Sequence, residues 1–165
     1  MDENEVREET EKHIKKVSFR LAEMMTVLAA RSAFHDKSKL GDAEFPTFVK
    51  FTPKLRDTTY SADKGSEYQQ YLREMKPALE HHYAKNRHHP EFFEDGVEGM
   101  DLLDIIEMLC DWWAATERHA DGDIISSIHK NTGRFSLSPQ LAKILENTVR
   151  NMKNDDASHK RGGDE

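Results

Sequence analysis

Four histidines, His81, His82, His88 and His89, fall within nine residues, and a fifth, His35, directly precedes Asp36. Neutral imidazole is the commonest protein metal ligand and a good acid or base near neutral pH. Core packing has no use for so many imidazoles so close together. Taken in chain order, His13, His35-Asp36, His82, His88-His89 and a late Asp111 suggest the ligand set of a metal site.

The spacing constrains that set. His35-Asp36 puts a nitrogen and an oxygen ligand side by side. Adjacent residues at a helix end point about 100° apart, so both reach one ion only from the side of that end, or they serve two ions with Asp36 bridging. His82 and Asn86 are four apart and share one helical face. Downstream, Asp104, Glu107 and Asp111 lie at i, i+3 and i+7. Asp111 is the preferred ligand because it interrupts the apolar run Met108-Leu109-Cys110-Asp111-Trp112-Trp113, where a carboxylate is costly unless paired or metal-bound. Glu107, one turn earlier, could ligate, position a water or hold a histidine. Asp101 and Asp104 read as an ordinary acidic outer face. His13 and His35 are 22 residues apart, about 33 Å on one straight helix, so His13 joins the site only if the helix breaks near Thr26-Val27. His81 points away from His82, His119 and His129 read as structural or exposed, and His159 lies in the tail.

The elements that must hold these residues are helical. Residues 5 to about 33 form a first helix with an inward stripe of Ile14, Val17, Leu21, Met24 and Leu28, and with Met24 and Met25 as core filler. A short helix within 42–51 turns Phe45, Phe48 and Phe51 inward, and 52–65 reads as a loop. A helix from Ser66 to about Lys85 carries Tyr68, Tyr71, Leu72, Met75 and Leu79 on its apolar face, kinked or split by Pro77. The clearest helix runs from Met100 to about Ala120, with Leu103, Ile106, Leu109, Cys110, Trp113 and Ala114 at helical spacing. A short helix over 123–130 is broken by Thr132-Gly133. A last helix runs to about Met152, N-capped by Ser138 with Pro139 in its first turn. The expectation is an all-α fold of five to seven helices, one domain over 1–153, and a disordered polar tail over 154–165.

Bulk composition narrows the function. The formal charge of −7 argues against broad binding to a phosphate backbone. No stretch reaches the roughly 20 apolar residues that span a bilayer. The acidic N-terminus lacks a signal-peptide pattern, and the single cysteine, Cys110, excludes an intrachain disulfide and is expected to pack rather than react. A cytoplasmic setting is expected.

The pattern of His13, His35-Asp36 and Asp111 on a helical chain resembles the HD superfamily of metal-dependent phosphohydrolases. His35-Asp36-Lys37-Ser38-Lys39 is similar to the His-Asp-x-Gly-Lys segment of its HD-GYP branch, with Ser38 in place of glycine. His82 and His88-His89 look like the single histidine and histidine pair of that branch. The Gly-Tyr-Pro part is absent, since Pro90-Glu91-Phe92 follows, so the cyclic-dinucleotide specificity is not carried over. Residues 13–118 also resemble small HD-like proteins of phages and bacteria with a similar His-Asp-x-Ser-Lys and Asn-x-His-His combination.

The resemblance implies a compact HD-like bundle and a metal-dependent phosphohydrolase, with a nucleotide as a reasonable substrate. One or two divalent ions (Mn, Fe, Co, Ni or Zn) would be held by His13, His35, Asp36, His82, His88, His89 and Asp111. Asp36, Lys39 and Glu107 are the expected catalytic residues. Lys39, Asn86, Arg87 and Trp112 are the expected substrate contacts: Lys39 and Arg87 for phosphate oxygens, Trp112 or Tyr83 for stacking on a base. The residues alone carry "metal and anion"; "phosphate ester" comes from the resemblance. The rival readings are a non-catalytic metal- or ligand-binding protein and an interaction module that inhibits a cellular factor. Self-association is compatible with all three.

Overall fold

The computed structural model describes residues 1–56, 66–118 and 122–161. Among them there are six α-helices, three short 3-10 turns and no strand, so the chain is all-α as the periodicity predicts. It divides into two compact units, Met1–His35 and Asp36–Glu165.

The first unit is one continuous helix, α1 (Glu3–Phe34). Asp2 and Glu5 form a capping box, with acidic residues in the first turn and Arg31 in the last, as the helix dipole favours. The apolar stripe expected to face inward is instead largely exposed: Ile14 is 59% accessible, and Val17, Leu21, Met24 and Met25 are exposed as well. A unit made of a single helix contains no second element to cover a stripe. Met24 and Met25 are therefore not core filler.

The second unit is built from α2 (Phe45–Arg56), α3 (Ser66–Lys85), α4 (Leu102–Thr116), α5 (Ile124–Phe135) and α6 (Pro139–Arg161). Its main core joins α4, α5 and α6 through Ile105, Met108, Leu109, Trp112, Ile124, Ile128, Leu137, Leu145 and Val149. Each such side chain contributes about 1.5–3 kcal/mol by burial. The inward face of α4 is offset from the expected one: Ile105, Met108 and Trp112 are buried, while Cys110 is exposed and Leu103, Ile106 and Trp113 are only partly covered. Although the residue is exposed, the desolvation its neighbours impose, with the charges of Glu107 and Asp111 nearby, pushes the Cys110 thiol up.

Helix α2 packs on α3, where Phe51, Met75 and Ala78 are buried. Phe48 is partly covered, but Phe45 points outward, and the inward position one residue earlier belongs to Glu44. Helix α2 extends through Pro53 to Arg56, so 52–56 is helical where a loop was expected; 57–65 lie outside the described residues. Pro77 does not split α3. Packing against α2 outweighs the single backbone hydrogen bond that proline removes.

Gly133 lies inside α5, which ends instead at Ser136 in the left-handed conformation. A helical glycine costs only about 1 kcal/mol against alanine and does not by itself turn the chain. Ser138 caps α6 through its hydroxyl, which accepts from the Leu141 N–H at 3.2 Å. Helix α6 continues past Met152 to Arg161, because no glycine or proline occurs before Gly162. Part of the tail expected to be disordered is thus helical, and residues 162–165 lie outside the described residues. No described helix is long and apolar enough to cross a membrane.

Candidate metal centre

Asp36, His82, His88 and His89 bring one ligand atom each to within 4.8 Å of one another. All four belong to the second unit. Asp36 stands in the left-handed region at φ 56°, at the start of the 3-10 turn Lys37–Leu40. A non-glycine residue there costs about 1–3 kcal/mol unless its surroundings hold it. Here they do: Lys39 pairs with Asp36 Oδ2, while Oδ1 faces the histidines.

Helical periodicity brings His82 inward. Met75, Ala78 and His82 lie at i, i+3 and i+7 on the buried face of α3, and His82 is 1% accessible. After α3 ends at Lys85, the chain turns, with the His89 N–H donating to the Asn86 carbonyl at 3.2 Å. His88 is 2% accessible and His89 partly buried. Asp36 Oδ1 lies 3.2 Å from His82 Nε2 and 3.4 Å from His88 Nε2. His82 Nε2 and His89 Nε2 are 2.9 Å apart. Asp36 and His88 are also within 4.8 Å of Asp111, atom to atom, so a second ligand group shares two members with the first.

These separations suit a cation. Metal–nitrogen and metal–oxygen bonds of about 2.0–2.2 Å place neighbouring ligand atoms about 3.0 Å apart at right angles and about 3.4 Å apart at the tetrahedral angle. The separations of 2.9, 3.2 and 3.4 Å fall along that range.

Carboxylates brace the two buried imidazoles from behind. Glu44 Oε2 is 2.9 Å from His82 Nδ1, and Glu107 Oε1 is 3.3 Å from His88 Nδ1. A carboxylate on the far nitrogen orients the ring and raises its basicity as a ligand. Glu107 therefore holds a histidine, one of the three roles its position allowed. Glu44 is 0% accessible, and nothing in the sequence singles it out among so many acidic residues. His81, at 41% exposure, reaches the other oxygen of Glu44 through Nδ1 at 2.7 Å.

The electrostatics fit ligands that stay ready. Burial alone would raise the Asp36 carboxyl, but the adjoining His82 and His88 rings and the Lys39 ammonium, with its charge, hold it well below the usual carboxylate range. Burial first, then His88 and His82 alongside, push His89 down to about 3, so its imidazole is neutral at physiological pH.

Several other expected site residues stand elsewhere or have other partners. His13 lies on the uninterrupted α1 and is exposed, about 33 Å along the helix from His35, so the two cannot share an ion within one chain. His35, by contrast, is not displaced: it is the partly buried C-cap of α1 and directly precedes Asp36. Trp112, an expected base-stacking residue, is 8% accessible and stacks on Phe135 at 6.1 Å in the core. Asn86, an expected substrate contact, donates to the His82 carbonyl at 2.7 Å and to Ser38 Oγ at 2.8 Å.

Arg87, expected to grip a phosphate, sets its fork on the buried Asp104 at 2.8 and 3.1 Å and lies over Phe93. Asp104 is therefore no outer-face acid. Lys39 stands at the centre, paired with Asp36. Tyr83 lies beside His89, ring centres 4.8 Å apart, and burial pushes its phenol up. His129 pairs with Glu146 at the surface, and His119 lies outside the described residues. His159 falls on the last turns of α6, where side chains lie outside the described residues.

Residues 2–151 match the model of a family described as a family of unknown function, DUF5662, and the chain belongs to that family. No curated protein and no solved structure matches it.

Proposed function

We propose that this member of DUF5662 is a metal-dependent phosphohydrolase whose centre is Asp36, His82, His88 and His89, with Asp111 extending it to a second ion. The observation that carries the reading is the convergence of His82 Nε2 and His88 Nε2 on Asp36 Oδ1 at 3.2 and 3.4 Å, with a carboxylate behind each ring. A cation among these atoms would let both ring nitrogens and the carboxylate oxygen turn lone pairs toward one point, which is what buried, carboxylate-backed imidazoles are suited to do. Asp36, Glu44, Glu107 and Asp111 together outweigh the charge of Lys39, which suits one or two divalent ions.

Mixed imidazole and carboxylate ligands favour Mn²⁺, Fe²⁺, Co²⁺, Ni²⁺ or Zn²⁺ over Mg²⁺. Such an ion supplies Lewis acidity, which eases deprotonation of water and neutralises phosphate oxygens. The chain's own residues do the rest. His82 and His88 are held by Glu44 and Glu107, and Asp36 is aimed by its left-handed backbone. Lys39 reaches a phosphate oxygen if it leaves Asp36 when a cation takes over that charge. Tyr83, its ring 4.8 Å from that of His89, offers an aromatic face for a nucleotide base. The class "phosphate ester" rests on the resemblance to the HD superfamily; the geometry supports the metal.

The test is phosphate release from a panel of nucleotides and phosphomonoesters by protein loaded with each metal in turn. Turnover that requires metal and disappears in Asp36→Ala supports a hydrolase. Stoichiometric metal with no turnover on any ester leaves a metal-binding protein.

A further inference from the structure

We infer that Glu44 is a positioning residue that fixes His82 as the Nδ1–H tautomer and so leaves its Nε2 bare towards Asp36 and His89. The inference draws on the metal-site reading only for its consequence, since the tautomer follows from hydrogen bonds that need no ion.

Three polar atoms surround His82 Nδ1: Glu44 Oε2 at 2.9 Å, Ser38 Oγ at 3.0 Å and Asn86 Nδ2 at 3.0 Å. The Asn86 amide has two hydrogens. One goes to the His82 carbonyl at 2.7 Å and the other to Ser38 Oγ at 2.8 Å, so none remains for the ring. Turning the amide over would press its oxygen against that carbonyl. Ser38 accepts from Asn86 and has one hydrogen, which Glu44 Oε2 receives at 3.1 Å. If that hydrogen went to His82 Nδ1 instead, a bare ring nitrogen would face a buried carboxylate oxygen at 2.9 Å. On the other side of the ring, Nε2 lies 2.9 Å from His89 Nε2 and 3.2 Å from Asp36 Oδ1. A hydrogen on Nε2 would serve Asp36, but one on Nδ1 serves Glu44 at the shorter 2.9 Å and leaves Nε2 to accept from His89, so the balance of contacts favours His82 Nδ1–H donating to Glu44.

Glu44 also joins separate parts of the chain. It sits just before α2, with its own carbonyl accepting from Thr47 and Phe48. It accepts from Ser38, two residues beyond Asp36, and binds His81 and His82 on α3. One carboxylate thus ties the turn that carries Asp36 to the helix that carries His82. It sets the distance between those two ligands as well as the tautomer.

The experiment is long-range ¹H–¹⁵N correlation of the histidine rings in the full-length, metal-free protein, well above the ordinary imidazole pKa of ~6.5. The wild type is expected to show His82 protonated at Nδ1. Glu44→Gln keeps an acceptor and should keep that tautomer; Glu44→Ala should lose it. Zn²⁺ and Mn²⁺ titrations should then show a loss of ~10–100-fold in affinity for Glu44→Ala and a smaller loss for Glu44→Gln. A wild-type His82 carrying its hydrogen on Nε2, or a tautomer unmoved in Glu44→Ala, overturns the inference. If Glu44→Ala does not fold, the wild type and Glu44→Gln carry the same test. Failure of the metal reading looks different: Nδ1–H in the wild type, and no uptake of either ion.

Discussion

His82 and His89, on either side of the turn that ends α3, bring their Nε2 atoms to 2.9 Å. Two neutral imidazoles meet this closely when one donates to the other or when both face a common cation. The second arrangement predicts that either ring is needed for binding. Substituting His82 or His89 by alanine should cost at least ~100-fold in Zn²⁺ affinity by isothermal titration, with helical content by circular dichroism retained. Unchanged affinity in either variant would remove that residue from the ligand set.

Arg87 and Asp104 give the opposite expectation. Asp104 is 0% accessible, and its cation is the Arg87 fork. Arg87→Ala strands a buried charge and should lower stability by about 2–4 kcal/mol in urea unfolding, discounted from a fully buried pair because Arg87 is half exposed. Zn²⁺ affinity should stay within a few-fold. A stable Arg87→Ala with impaired phosphate binding would restore the substrate role its sequence position first suggested.

Trp112 belongs to the core, so Trp112→Ala should cost about 3–5 kcal/mol in the same experiment. Trp112→Phe keeps most of the contact with Phe135 and should cost much less. If Trp112→Ala were as stable as wild type but bound nucleotide worse, the core assignment would be wrong.

The low value at His89 gives the metal-free protein a specific pH dependence. The folded ring stays neutral down to about 3, while the unfolded ring takes up a proton near ~6.5. Between those values the unfolded state binds more protons, so this residue makes stability fall as pH falls. Denaturation midpoints of metal-free wild type should decline over that window more steeply than those of His89→Ala. Parallel declines would show that His89 titrates normally in the folded protein.

Histidine density and the His35-Asp36 pair were enough to find Asp36, His82, His88 and His89, because few other roles bring such residues together. Glu107 and Asp111 were legible from helical spacing. Glu44 was not: it is one acid among many, and only the packing of α2 on α3 buries it against His82. Periodicity located α1 and its stripe, but it cannot tell whether anything covers a stripe, and so Met24 and Met25 were misassigned to a core. Trp112 and Trp113 sit about 100° apart on α4, and the placement of α5 decides which one enters the core. Pro77 and Gly133 read as breaks because local propensity is weighed without the packing that overrides it.

The central claim is that this chain carries a metal. Elemental mass spectrometry of gently purified protein, wild type beside Asp36→Ala/His82→Ala, tests it most directly. One or two equivalents of a transition metal in the wild type, absent from the variant, is the predicted result. A metal-free wild type that also takes up no Mn²⁺, Fe²⁺ or Zn²⁺ on incubation would contradict it.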